Sequence, residues 1–223
     1  MAEAFLDVYL ASIPHTEAEP YFSVSKVDVF ANVDHVERRE ELLQIRCERL
    51  RAEKYYVWRL LECALFERFG KSASELSVTK KVGGGWFSPF CEISLSHSEG
   101  GLAVAISSAP VGVDIEPIEP SRVKKFVQKS LTAAENLVYR ELAPEEKALQ
   151  ALRFWVMKES IFKMKGAECF LPSGIDTVGS DAVKCFEREL DGRKYFLSVA
   201  SEILKALKII VLKKYRTAEK GDK

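Results

Sequence analysis

The run from Val111 to Pro117 constrains this chain more than any other stretch. Val111, Val113 and Ile115 alternate with Gly112, Asp114 and Glu116, a period of two that predicts a strand ended by Pro117. Successive strand side chains point to opposite faces, so Asp114 and Glu116 share one face while Val113 and Ile115 share the other. Two carboxylates so close raise each other's cost of ionising unless a cation lies between them. A hard divalent ion with oxygen ligands is the natural cation, since no Cys or His stands nearby at zinc-like spacing. Taken alone, a D-x-E pair is most simply a polar strand face in water.

A second segment shifts that balance. The chain reads as helix over 144–166: Pro144, Glu145 and Glu146 make an acidic first turn, no Pro or Gly follows until Gly166, and Lys163 and Lys165 suit the C-terminal end. Trp155, Glu159 and Phe162 fall at i, i+4 and i+7, which places the Glu159 carboxylate within an aromatic stripe. Burying a lone charge there is costly without a partner. Lys163, one turn further on, can pair with Glu159 or reach a phosphate. Lys158 reads as half of an ordinary surface ion pair.

Upstream, Cys91 to Ser96 alternates as a strand, His97 and Ser98 follow, and Glu99-Gly100-Gly101 turns into a returning strand from Leu102 to Ser107. Joined to the Asp114 strand through Ser108-Ala109-Pro110, these residues predict a three-stranded antiparallel meander. Its geometry places His97 near Glu116, where Ser-His-Ser suits a phosphate or nucleotide contact.

These residues resemble a known family. Ser96-His97-Ser98, Gly112-Val113-Asp114-Ile115-Glu116 and Trp155-Val156-Met157-Lys158-Glu159-Ser160-Ile161-Phe162-Lys163 look like the S-H-S, G-[IV]-D-[IV]-E and W-x-x-K-E-[AS]-x-x-K motifs of the 4'-phosphopantetheinyl transferases, in the order of the two-lobed, surfactin-type branch. The resemblance is strong from about Cys91 to Gly166. It implies an α+β fold of two similar lobes with antiparallel sheets related by a pseudo-twofold axis, residues 1–109 forming one lobe and 110–216 the other; the polar residues 217–223 are expected as a disordered tail. It further implies magnesium held by Asp114, Glu116 and Glu159, coenzyme A as substrate, and transfer of phosphopantetheine to a serine of an acyl, polyketide or peptidyl carrier protein. In that scheme Glu159 is the candidate base, directly or through a metal-bound water. Lys163 stabilises phosphoryl charge, and Ser96 and His97 contact coenzyme A phosphates. Arg38 and Lys54 best match the basic residues that bind its 3'-phosphate and pyrophosphate. The fused lobes imply a monomer.

One departure stands out. Family members usually carry G-K-P ahead of the S-H-S strand, its lysine contacting coenzyme A, whereas this chain has Lys80-Lys81-Val82-Gly83-Gly84-Gly85. Lys81, Lys80 or backbone amides of the glycine run are the candidates to replace it. A helix is expected over 36–69, with Leu43, Cys47, Leu50, Lys54, Val57, Leu61 and Ala64 as its inward stripe. Strands are expected over 182–190, 193–200 and 207–214, the first two joined by an Asp191-Gly192 turn. Arg122, Lys124, Lys125 and Lys129, with Phe126 and Val127 between them, form a basic segment suited either to an acidic carrier helix or to water.

Composition agrees. Of 223 residues, 47% are hydrophobic and 30% charged, as in a globular protein able to bury a core, and the net charge of zero argues against a general nucleic-acid or membrane-surface binder. No apolar run approaches a membrane span, the N-terminus has no leader pattern, and five cysteines without a C-x-x-C fit reduced thiols in a cytoplasmic protein. Two other classes stay open: a catalytically weak module that binds coenzyme A or a carrier, and another magnesium-dependent phosphotransferase. The second normally needs a phosphate-cradling G-x-x-x-x-G-K-[ST] loop, which is absent from the sequence.

Overall fold

The computed structural model of the chain describes residues 3–13, 24–81, 84–119 and 129–212. Strand β1 (Leu6–Ser12) leads to helices α1 (Lys26–Asn32), α2 (Val36–Gln44) and α3 (Glu48–Phe69). Strands β2 (Thr79–Lys80), β3 (Trp86–Ser88), β4 (Cys91–Ser98), β5 (Gly101–Ser107) and β6 (Val111–Pro117) follow. Helices α4 (Ala133–Glu141) and α5 (Pro144–Lys165) precede β7 (Val183–Leu190), β8 (Arg193–Ser201) and β9 (Leu207–Val211). One sheet runs β2, β3, β4, β5, β1, β9, and a second runs β6, β8, β7. The α+β class with antiparallel sheets is met, β1 and β9 pairing in parallel as the exception.

Strand alternation decides the layering. In β1 and β5, Tyr9, Ala11, Leu102, Val104 and Ile106 face the helices and pack with Trp58, Leu61 and Leu65 of α3. Their neighbours Leu6, Val8, Leu10, Ala103 and Ala105 face the other way and pack on Val113, Ile115, Leu197 and Val199 of the second sheet. The opposite face of that sheet meets α5, where Phe196 packs on Leu152 and Val156, and Ala200 on Ile161. The order is helices, large sheet, small sheet, helix. Asp114 and Glu116 alternate with Val113 and Ile115, so they face α5 as the spacing predicts.

Two tight turns show why the hairpins form where the sequence places them. Glu99 and Gly100 have φ of 47° and 88°, and Asp191 and Gly192 have φ of 46° and 77°. Two successive left-handed residues match the right-handed twist of the flanking strands.

Three expectations need correction. The meander is broken after β5: β6 leaves the large sheet and pairs with β8 instead. The expected 36–69 helix is two helices, because Ile45 and Cys47 are extended (ψ 117° and 112°). A buried arginine holds that break open. Arg51 donates from Nη1 to the Ile45 carbonyl at 2.8 Å, an acceptor that a continuous helix would otherwise pair, and from Nε to the Val24 carbonyl at 2.7 Å. The inward stripe therefore holds for Val57, Leu61 and Ala64, while Cys47 and Leu50 are exposed. Finally, β9 does not extend the second sheet but crosses to the first, pairing with β1 from Leu6 opposite Leu207 to Leu10 opposite Val211.

Candidate functional site

Three serines of β4 build the floor of the site. Ser94, Ser96 and Ser98 recur every second residue on the face turned toward β6, and they replace the ladder that a continued meander would have supplied. The Ser94 hydroxyl accepts from the Val113 amide at 3.0 Å and Ser96 from the Ile115 amide at 3.3 Å. Ser96 donates to Asp114 Oδ1 at 2.7 Å, and Ser98 donates to Glu116 Oε2 at 2.7 Å. The two sheets are thus joined, and the two carboxylates oriented, by the same side chains.

Helix α5 closes the site from the opposite side. Gly112 permits the approach: a Cβ there would stand 1.8 Å from the Ser160 carbonyl oxygen. Gly166 ends the helix with φ of 59°, as the expected boundary requires. Lys163 donates to Asp114 Oδ1 at 2.7 Å, to Ser96 Oγ at 3.1 Å and to the Val113 carbonyl at 3.1 Å. One turn earlier lies Glu159. Burial, then the Asp114 charge, pushes its carboxyl up to about 8, with Glu116 adding to the rise while Lys163 and a Trp155 hydrogen bond oppose it.

The sequence-predicted residues divide into those brought together here and those placed elsewhere. Asp114, Glu116, Glu159, Lys163 and Ser96 share the β4, β6 and α5 junction. His97 does not join the carboxylates, because the period of two turns it to the opposite face, where Nδ1 lies 3.1 Å from Glu53 Oε2. Ser98 is the residue that reaches Glu116.

A cleft of about 430 Å³ runs from Lys163 and His97 to a basic end formed by Arg38, Lys54 and Lys80 around Glu41. Lys81 borders it and pairs with Glu92 at 3.0 Å. Arg38 is held inward: its guanidinium lies 5.5 Å from the Trp58 ring and 5.7 Å from the Trp86 ring, donates to Glu41 at 2.9 Å, and donates to the Lys54 carbonyl. Lys54 keeps its ammonium partly exposed and pairs with Glu41 at 2.9 Å. Of the basic segment suited to a carrier, Lys129 is described and exposed; Arg122, Lys124, Lys125, Phe126 and Val127 lie outside the described residues.

The reading of Lys158 as a surface residue is overturned. Its side chain is 0% exposed and pairs at 2.7 Å with Glu135, also 0% exposed, while donating to the Pro172 and Ile175 carbonyls. Glu135 also accepts from the Thr177 hydroxyl at 2.7 Å and caps α4 through Thr132. The Thr132-x-x-Glu135 capping pattern was visible in the sequence and marks the start of α4. What it could not reveal is that Glu135 faces Lys158.

Whether the site suits a metal can be judged from Asp114. Its Oδ1 is engaged by Ser96 and Lys163, whereas Oδ2 is buried with no hydrogen-bond partner. An orphaned carboxylate oxygen beside a carboxyl that resists ionising fits a missing positive charge. Among the described residues no three Asp, Glu, His or Cys side chains form a closed group able to hold an ion. In this geometry the Lys163 ammonium supplies the charge on the Oδ1 side.

Comparison with known proteins bears on the same half of the chain. Residues 110–218, just under half of it, match the family model described as the 4'-phosphopantetheinyl transferase superfamily. A protein of Bacillus subtilis described as 4'-phosphopantetheinyl transferase is 27% identical over 84 residues, spanning 38% of this chain and 37% of the relative. Over residues 110–218, the stretch that holds Asp114, Glu116, Glu159 and Lys163, the chain is similar to the 4'-phosphopantetheinyl transferase superfamily.

Proposed function

We propose that the protein transfers 4'-phosphopantetheine from coenzyme A to a serine hydroxyl of an apo carrier protein, releasing 3',5'-adenosine bisphosphate, as a holo-carrier-protein synthase does. The observation that carries this reading is the state of Asp114, with one oxygen fixed by Ser96 and by Lys163, which itself lines the basic cleft, and the other oxygen buried and unpartnered. Asp114, Glu116 and Glu159 would hold a magnesium ion. When bound, it would neutralise charge on the pyrophosphate and on the leaving group.

The remaining chemistry belongs to the chain. Lys163, anchored between Asp114 and Ser96, directs a positive charge toward the transferring phosphoryl group and needs no reorganisation during the reaction. Glu159 accepts the proton of the carrier serine as its oxygen bonds to the β-phosphorus and the bond from that phosphorus to the bridging oxygen breaks. A carboxyl pushed well above its ordinary range is a better proton acceptor than a free one once ionised. Arg38, Lys54, Lys81 and His97 line the cleft and would bind the phosphates and adenosine end of coenzyme A. The relation of two similar lobes, 1–109 and 110–216, a monomeric state and a cytoplasmic location form part of this reading. Among the described residues no helix is long and apolar enough to cross a membrane.

The test is intact-mass spectrometry of apo acyl and peptidyl carrier proteins incubated with the protein, coenzyme A and magnesium. A gain of one phosphopantetheine group, abolished by EDTA, is the expected result. Absence of any gain while coenzyme A still binds would replace transfer with the binding-module reading.

A further inference from the structure

The basic end of the cleft already holds an anion. Glu41 accepts from Arg38 Nη1 at 2.9 Å and from Lys54 Nζ at 2.9 Å, and Lys80 Nζ lies 3.4 Å away. Burial pushes its carboxyl up, but Arg38, Lys54 and Lys80 together outweigh this and hold it down at about 2, so it is ionised at any working pH. Arg38 lines the cleft but has little freedom to turn toward a ligand, being 3% exposed, packed against Trp58 and Trp86 and bonded to the Lys54 carbonyl. Lys54 and Lys80 are different, since their side chains keep 31% and 45% exposure on the cleft side.

An arriving phosphate monoester and Glu41 therefore compete for the same two ammonium groups. The phosphate must either share them with a carboxylate, against like-charge repulsion, or displace that carboxylate onto Arg38 alone. We infer that Glu41 is a built-in competitor for phosphate, one that weakens the hold on a monoester at this end of the cleft and sets how strongly the protein prefers coenzyme A over its 3'-dephospho form. The inference rests on the proposed use of coenzyme A for its natural ligand, but the competition itself depends only on the geometry of Glu41, Lys54 and Lys80.

Isothermal titration calorimetry on the full chain and on Glu41→Gln, with coenzyme A, dephospho-coenzyme A and inorganic phosphate as probes, tests it. In the variant, coenzyme A and inorganic phosphate are expected to bind on the order of tenfold tighter, with the gain shrinking at high salt, and dephospho-coenzyme A to change by less than about twofold. Unchanged or weaker phosphate binding in E41Q would overturn the inference and make Glu41 an organiser of the three cations instead. If neither form of coenzyme A binds either protein while phosphate tightens in the variant, the competitor role stands and the coenzyme reading fails. Glu41→Asp covers the case in which E41Q does not fold: it keeps a charge for Arg38 but withdraws it from the lysines, so phosphate should still tighten several-fold, and no tightening overturns the inference.

Discussion

Asp114 meets different surroundings at its two oxygens: Oδ1 sits among donors, and Oδ2 sits in the protein interior without one. A group left so exposed to desolvation costs the apo protein stability, which a bound cation would return. Magnesium is therefore expected to raise the melting temperature of the wild-type protein and not that of Asp114→Ala, read by differential scanning fluorimetry. Glu159→Gln keeps the shape of the site and removes the proposed proton acceptor, so the transfer rate should fall by about 10²- to 10⁴-fold with little change in the melting curve. Glu41 makes a pH prediction. Its folded-state carboxyl lies at about 2 against an ordinary 4.5, so between those values the unfolded chain holds more protons. Its contribution to stability is complete above pH 4.5 and is lost as pH falls toward 2. Denaturant titrations should show a shallower acid loss for Glu41→Gln than for the wild type over that window, and parallel curves would contradict the assignment.

At the level of elements, what could be read from the sequence depended on whether a feature was periodic or contingent. Helix α5 and strand β6 were legible because their patterns run unbroken and end at Gly166 and Pro117. The break between α2 and α3 was hidden, since Gln44-Ile45-Arg46-Cys47 contains no Pro or Gly and the cause lies in Arg51, which reaches back from the next helix. The Ser94, Ser96 and Ser98 stitch was missed for a similar reason: nothing in alternating serines says that they will bond a strand of another sheet. The expected placement of His97 missed by one step of strand alternation: its neighbour Ser98 reaches Glu116, while His97 turns to the opposite face. Glu135 and Lys158 form the clearest contact that no local pattern shows. Removing one partner, as in Glu135→Ala, leaves a buried charge alone and should cost about 3–5 kcal/mol, whereas replacing both with apolar residues of similar volume should cost much less. Comparing the single and double variants by chemical denaturation checks this. Gly112→Ala should push α5 off β6, lowering both stability and transfer, because the added carbon meets backbone instead of a movable side chain.

Across the molecule, the residues proposed for catalysis stand at a junction of layers. Asp114 belongs to the small sheet, Ser96 to the large one and Lys163 to the helix that covers the small sheet. The cleft leads from this junction toward α2 and α3, so the groups proposed for chemistry and those proposed for ligand binding come from opposite sides of the fold. β9 ties the C-terminal half back to β1. The central claim is that this junction transfers phosphopantetheine. It is tested most directly by following the mass of an apo carrier protein with wild type, Asp114→Ala and Lys163→Ala side by side, with coenzyme A binding measured on each. The account predicts a gain of one phosphopantetheine with wild type and almost none with either variant, although both remain folded. Equal modification by all three proteins would contradict the assignment of this site.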